Sequence, residues 1–297
     1  MPTTVQAALL GVVQGLTEFL PVSSSAHLIL ARVFFGFDTD QFGLSFDVAC
    51  HVGTLIAVLI YFRVEVARMI AAVPRAFGVG PAKAGVGPAK AGHYIRNSAP
   101  APRMVAIEDR EPRLIWLLIV GTIPAVIVGL LFGKVIEARM RTPGVAAVAL
   151  AIGAILMFAA ERSGRKTRDE MSLTMAEVFW IGCAQAVALI PGVSRSGATL
   201  TLALFLGLRR PEAARFIFLL AIPAILGAAA HEAPKMLNAG WGGDMATLFA
   251  IGVVSSAIVG FLAVKYFIRY LANHTLDVFA WYRLGLAAMV VIWIWRR

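Results

Sequence analysis

Apolar residues run almost unbroken for about twenty positions at six places along the chain: 45–62, 114–133, 143–160, 212–230, 248–267 and 279–295. A helix crossing a bilayer needs roughly 20 such residues, so each run predicts one span. Two further apolar stretches, 5–35 and 176–208, are interrupted in the middle. The first breaks at Pro21, which Ser23, Ser24, Ser25 and His27 follow. The second breaks at Pro191-Gly192-Val193-Ser194-Arg195-Ser196-Gly197-Ala198-Thr199. Each half-stretch is short for a full crossing, so both are expected to be re-entrant helix–loop–helix hairpins. Irregular backbone at membrane depth is tolerated only where protein buries it or it lines a wet cavity.

The order is hairpin and three spans, then hairpin and three spans. Residues 1–160 form the first repeat and 161–297 the second. The breaks align by eye: Pro21 with Pro191, Ser23 with Ser194, Ser25 with Ser196, and Arg195 where the first copy has Ser24. Three spans per half is an odd number, so the halves are expected to be inverted. Inverted repeats with broken helices build sites near the midplane. The fold class is therefore an all-α polytopic membrane protein in one integral membrane domain, with six transmembrane helices, two hairpins and an inverted repeat.

Charge adds an orientation. The segment 63–113 holds nine Lys and Arg against four acids, Arg162, Arg165, Lys166 and Arg168 cluster next, and Arg209, Arg210 and Arg215 follow the second hairpin. These loops share one side in the scheme and are assigned to the cytoplasm, which turns both termini outward. Arg139, Arg141, Arg296 and Arg297 fall on the other side. Residues 74–103 read as a flexible cytoplasmic insertion, because VGPAKAG at 79–85 recurs at 86–92 and such Gly/Pro/Ala/Lys sequence cannot bury a core. Overall, 59% of residues are hydrophobic and 15% charged, against about a quarter charged in a soluble domain. The net charge of +10 is accounted for by loop basics, so nucleic acid is not an expected partner. Cys50 and Cys183 lie in apolar sequence and form neither a metal spacing nor a disulfide framework.

The chemistry gathers at the breaks. Glu18 is the only charged residue between Met1 and Ala31, and an intramembrane carboxylate is functional by default. Gln14, four residues earlier, shares its helix face. Gly11 and Gly15 let another helix approach closely. His27 follows the serines within reach of the same region, a requirement for a general base. Ser24 and its neighbours can also cap the helix beginning near Ala26, whose N-terminus attracts anions. Arg195 offers a planar fork matched to phosphate. The alternative for Arg195 is a structural ion pair, with Glu18 as one candidate partner. Ser194, Ser196 and Thr199 add hydroxyls, and Gly192 and Gly197 allow backbone amides near a ligand. Asp47 and His51 are spaced four apart on a span and are read as a local pair rather than a site.

The segments QGLTEFLPVSSSAH (14–27) and PGVSRSGAT (191–199) resemble the two signature motifs of the undecaprenyl-diphosphate phosphatases, or bacitracin-resistance protein family. The hydropathy layout agrees over nearly the whole chain, the insertion at 74–103 excepted. The resemblance implies removal of the terminal phosphate from undecaprenyl diphosphate, returning the monophosphate carrier to peptidoglycan synthesis. It implies a divalent cation, Mg2+ or Ca2+. It carries over Glu18, His27 and Arg195 as essential, with Ser24, Ser194 and Thr199 as participants. Many relatives have Glu where this chain has Gln14, which leaves one carboxylate in the motif.

The expected site thus has Glu18, His27, Arg195 and Ser24 as catalytic residues. Ser23, Ser25, Ser194, Ser196, Thr199 and Gly192 bind substrate, and Glu18 with Gln14 holds the metal. Ser24 activated by His27 is the favoured nucleophile, with His27 itself or a water left open. Expected partners are the polyprenyl diphosphate and membrane lipids, and a homodimer is left open. The expected location is the bacterial inner membrane, with the site opening to its outer side. The rival reading is a polyprenyl-phosphate flippase using the same midplane site.

Overall fold

The computed structural model describes residues 1–38, 41–79, 110–238 and 243–296. It is all-helical: α1 (Thr3–Phe19), α2 (Ser24–Phe35), α3 (Leu44–Tyr61), α4 (Arg63–Ala76), α5 (Arg110–Met140), α6 (Pro143–Arg162), α7 (Met175–Val187), α8 (Arg195–Phe205), α9 (Arg210–Asn238), α10 (Gly243–Leu271) and α11 (Asp277–Trp295). Six of these, α3, α5, α6, α9, α10 and α11, are long and apolar enough to cross a membrane. They fall on the six predicted runs. The two interrupted stretches fold as the short pairs α1–α2 and α7–α8.

One helix was not expected. α4 occupies the start of the basic segment read as loop, and it carries regular structure through Ala76, past the predicted start of the insertion at 74. Its side chains alternate between core contacts at Met69 and Ala72 and exposed Val64, Ile70 and Val73, a mixed face that a search for twenty apolar residues passes over. Beyond Val79, the duplicated VGPAKAG segment lies outside the described residues.

Small residues set the close packing. α10 lies along both α1 and α3. A β-carbon at Gly11 would sit 1.9 Å from the Ser255 hydroxyl, and one at Gly15 would sit 2.7 Å from the Ser256 carbonyl oxygen. The Gly11/Gly15 pair therefore does meet another helix, namely α10. The main core clusters around Phe19, Phe216, Phe218, Val264 and Phe267, with Phe19 edge-on to Phe218 at 5.2 Å between centroids. This core anchors the end of α1 just before its break.

The breaks themselves are held by Arg283 of α11, which is fully buried. Its guanidinium donates to the carbonyls of Pro21 (3.2 Å), Gly192 (3.2 Å) and Val193 (3.1 Å), and to those of Ala149 (3.1 Å) and Leu150 (3.2 Å) on α6. Gly153 makes room for it, since a β-carbon there would come within 2.0 Å of the guanidinium. One side chain thereby satisfies backbone carbonyls of both interrupted segments. Replacing Arg283 with Met should cost several kcal/mol, at about 1–3 kcal/mol for each carbonyl left unpaired. Thermal unfolding in detergent measures this, and Arg283→Lys, which lacks the fork, should recover only part of the loss.

Candidate active site

Two chain breaks meet in the middle of the bundle, and they share a geometry. α1 stops at Phe19, and Leu20, preceding Pro21, is extended, as the residue before proline prefers. α2 then starts from Ser23 as N-cap. α7 ends at Val187, and α8 starts from Ser194 as N-cap. Ser23 and Ser194 are the only non-glycine residues of positive φ among the described residues, at 76° and 71°. Each hydroxyl accepts from the amide three residues on, Ala26 at 3.4 Å and Gly197 at 3.0 Å. Each also meets the hydroxyl two residues on: Ser23 with Ser25 at 3.2 Å, and Ser194 with Ser196 at 3.3 Å. The breaks then bond to each other. The Gly192 amide donates to Ser25 (3.2 Å), and Ser196 donates to the Leu20 carbonyl (3.0 Å).

Glu18 is the hub of the polar cluster and is 6% exposed. It is ion-paired with Arg195 across the two breaks. It also accepts from the Gln14 amide at 2.7 Å and from the Ser24 hydroxyl at 2.7 Å. His51 on α3 brings Nε2 to within 3.4 Å of the same carboxylate, while its Nδ1 lies 2.7 Å from the Asp47 carbonyl. A carbonyl only accepts, so Nδ1 carries a hydrogen, and His51 donates to Glu18 when its ring is protonated. Ser24 and Arg195 are the first residues of α2 and α8. Two helix N-termini therefore open at one carboxylate–guanidinium pair, and both attract negative charge.

The structure distributes the expected residues unevenly. Gln14, Glu18, Ser24 and Arg195 come together. Ser23, Ser25, Ser194 and Ser196 spend hydroxyl bonds on bracing the breaks, and Thr199 bonds back to the Arg195 carbonyl at 2.7 Å. Gly192 faces Ala146, with φ of 96° and room for no β-carbon. His27 points elsewhere. Its Nδ1 is 2.7 Å from the Ser23 carbonyl, so Nε2 of the neutral ring accepts from the Tyr282 hydroxyl, also at 2.7 Å. Tyr282 stacks on it with an interplanar angle of 5°. Ser24 thus has Glu18, not His27, as its hydrogen-bond partner.

Two residues were passed over in the sequence. His51 carried a signal, the polar pair with Asp47 inside an apolar run, but sequence separation hid its nearness to Glu18. The local pair holds through the Asp47 carbonyl, while the Asp47 carboxylate is paired with Arg32 and Arg141, which ties one of the arginines that broke the charge rule to a buried acid. Arg283 was visible only as a lone cation in the last span.

A cation site can be tested on one atom. Gln14 Oε1 is buried and has no hydrogen-bond partner, because Nε2 of the same amide serves Glu18. An orphaned oxygen acceptor beside a carboxylate fits a hard divalent cation. Among the described residues, no group of three or more His, Cys, Asp or Glu is placed to hold a metal.

Fold and site together define a polytopic helical membrane protein with a carboxylate–guanidinium cluster where two helix breaks meet. Comparison with known proteins narrows this. The model of the family described as bacitracin resistance protein BacA matches residues 7–289, and the chain belongs to that family. Similar proteins include the undecaprenyl-diphosphatase of Rubrobacter xylanophilus, 45% identical over 96% of each chain. That of Elusimicrobium minutum is 40% identical over 98% of each, and undecaprenyl-diphosphatase 2 of Stutzerimonas stutzeri is 43% identical over 97% of each.

The packing of the second break makes a controlled prediction. Gly192→Ala should lose about 2 kcal/mol or more of stability, since it combines a left-handed backbone with a clash against Ala146. Gly144→Ala, where a β-carbon meets open space, should leave the thermal midpoint within a degree or two.

Proposed function

We infer that this chain is an undecaprenyl-diphosphate phosphatase, releasing the terminal phosphate as inorganic phosphate and returning undecaprenyl phosphate. The observation that carries the reading is the Glu18–Arg195–Ser24 cluster at two converging helix N-termini, within a chain of this family. The α1–α2 and α7–α8 pairs act as re-entrant hairpins of an inverted repeat. Their matched serine caps and reciprocal bonds support that reading. The basic loops face the cytoplasm, and the site opens to the outer side of the bacterial inner membrane.

Arg195 leaves Glu18 for the incoming phosphate, whose oxygens match its fork. That exchange frees the carboxylate next to the Ser24 hydroxyl. Glu18 accepts the Ser24 proton as Ser24 Oγ attacks the terminal phosphorus, and the bridging P–O bond breaks with the prenyl monophosphate as leaving group. Water then cleaves the phosphoserine, giving inorganic phosphate and restoring the hydroxyl. His51 stands behind Glu18 to take up and return the proton. His27, held by Tyr282 and the Ser23 carbonyl, fixes the start of α2 and so the direction of Ser24. Gln14 Oε1 and Glu18 would hold a magnesium or calcium ion that offsets phosphate charge when bound. The rest is positioning and fixed electrostatics, the usual means of phosphoryl transfer.

Phosphate release from undecaprenyl diphosphate in detergent tests the reading. Arg195→Ala and Glu18→Ala should each lower kcat by at least about 100-fold in protein that remains folded, while also lowering the thermal midpoint because each leaves its partner unpaired. A label trapped on any residue other than Ser24 would refute the nucleophile assignment. Folded wild type that moves the lipid phosphate across vesicles without releasing phosphate would make the chain a flippase instead. Gln14→Glu should lower the magnesium concentration for half-maximal rate, because it adds a second carboxylate at the orphaned oxygen.

A further inference from the structure

α4 is too short and too charged to cross a bilayer. Its 14 residues rise about 21 Å, against roughly 30 Å of hydrocarbon, and they include Arg63, Glu65, Arg68 and Arg75. Only Phe62 separates it from α3, one of the helices long and apolar enough to span. α4 therefore starts where that span leaves the membrane. One side of it packs on the protein. Met69 and Ala72 are buried, and Glu65, the only acid of the helix, pairs with Arg215 of α9 at 3.1 Å. The indole of Trp116 on α5 donates to the Ala76 carbonyl at 3.0 Å, and the Phe77 ring lies 5.2 Å from that of Trp116.

The rest of the helix turns outward, and it is divided in two. Ile70, Val73, Pro74 and Phe77 fall at i, i+3, i+4 and i+7, which puts them on one face. All four are exposed, Ile70 at 67%. Arg68 and Arg75, two turns apart, share a second face and are exposed as well. Arg63, two turns before Ile70, is exposed at the near end of the apolar face. Water disfavours the first face and hydrocarbon the second, and the boundary between them suits both. There apolar side chains enter the acyl layer while long arginine side chains keep their charge among the headgroups. Trp116, exposed beside Phe77, is the kind of ring that settles at that depth.

We propose that α4 is an interfacial helix whose outward surface binds anionic phospholipid of the leaflet at which α3 ends. Charge selects this occupant. With Glu65 turned to Arg215, the outward charges of α4 are Arg63, Arg68 and Arg75, and an anionic headgroup complements them where a zwitterionic one does not. The apolar face selects a lipid over a soluble anion, since only a lipid brings hydrocarbon to Ile70 and Val73 together with a phosphate. This lipid is separate from the substrate, and its binding does not depend on the reaction at Glu18 and Arg195. It fastens the α3–α4–α5 side of the bundle to the membrane surface.

Thermal unfolding of the full-length protein in detergent micelles doped with phosphatidylglycerol or phosphatidylcholine tests this, because a ligand bound to the native state raises the midpoint. At equal mole fraction, phosphatidylglycerol should raise the midpoint several degrees further than phosphatidylcholine, and about 0.5 M salt should remove the difference. The combined change Arg63→Gln, Arg68→Gln and Arg75→Gln should require at least about tenfold more phosphatidylglycerol for the same rise. Ile70→Glu, which sets a carboxylate in the apolar face, should weaken the response in the same direction. Arg162→Gln, at an exposed arginine paired with Asp277 on another part of the bundle, should keep the full response. Equal rises with the two lipids, or a triple variant that responds as wild type does, would overturn the proposal and give this face to a protein contact. A loss in Arg162→Gln as large as in the triple variant would also overturn it, since the attraction would then belong to basic surface in general.

Discussion

Backbone that leaves helical form inside a bilayer must find its hydrogen-bond partners within the protein, and here Arg283 supplies them for both breaks at once. The bonds run from a single rigid fork to carbonyls of Pro21, Gly192 and Val193, with α6 as the third wall. No carboxylate balances this cation among its hydrogen-bond partners. Carbonyl dipoles do so instead, including those after the C-terminal end of α1, where the helix dipole is negative. A lysine would offer a point charge without the fork, and an apolar residue would leave carbonyls stranded. The breaks can therefore exist only while α11 is docked, which couples the last span of the chain to the first.

That arrangement separates two kinds of buried charge. Arg283 is saturated by backbone and is structural. Among the described residues, the Arg195 side chain pairs only with Glu18. Removing one member of a buried pair leaves its partner unpaired, a strongly unfavourable state. Moving Arg195 off Glu18 avoids this only if other donors remain on the carboxylate. The Ser24 hydroxyl and the Gln14 amide already donate to it, with His51 Nε2 3.4 Å away, so the carboxylate keeps donors when Arg195 moves. Under the phosphatase reading, this arrangement lets one anion replace another without leaving either charge bare.

Much of the fold was legible because hydropathy is a one-dimensional property. Six long apolar runs became six spans, and the two interruptions at Pro21 and Pro191 became two breaks. α4 was not legible, since its apolar contacts are brief and its basic residues resemble loop. The site was legible in part. Glu18, Ser24 and Arg195 stood out as polar residues in apolar surroundings. The division of labour among the serines did not, because Ser24 and Ser25 are adjacent in sequence yet one meets Glu18 and the other meets the Gly192 amide. His51 and Arg283 were out of reach for a different reason: their importance depends on pairings across long separations, which periodicity does not encode.

The two serine caps show why these breaks read as they do. Ser23 and Ser194 sit at positive φ, where glycine is the usual choice and a serine carries strain of order 1–3 kcal/mol. Glycine would relieve that strain but has no hydroxyl. Each hydroxyl accepts an amide at the start of a helix, a bond that contributes about 1 kcal/mol as a cap, and each also reaches the serine two residues on, which in turn clasps the opposite break. The strained serine therefore fixes helix start and loop-to-loop contact together. Because the clasp joins the two breaks, the N-termini of α2 and α8 cannot drift apart, and Ser24 and Arg195, one residue beyond each cap, are held at the same carboxylate. Positioning of Ser24 and Arg195 follows from a backbone conformation that glycine would adopt more easily but could not lock.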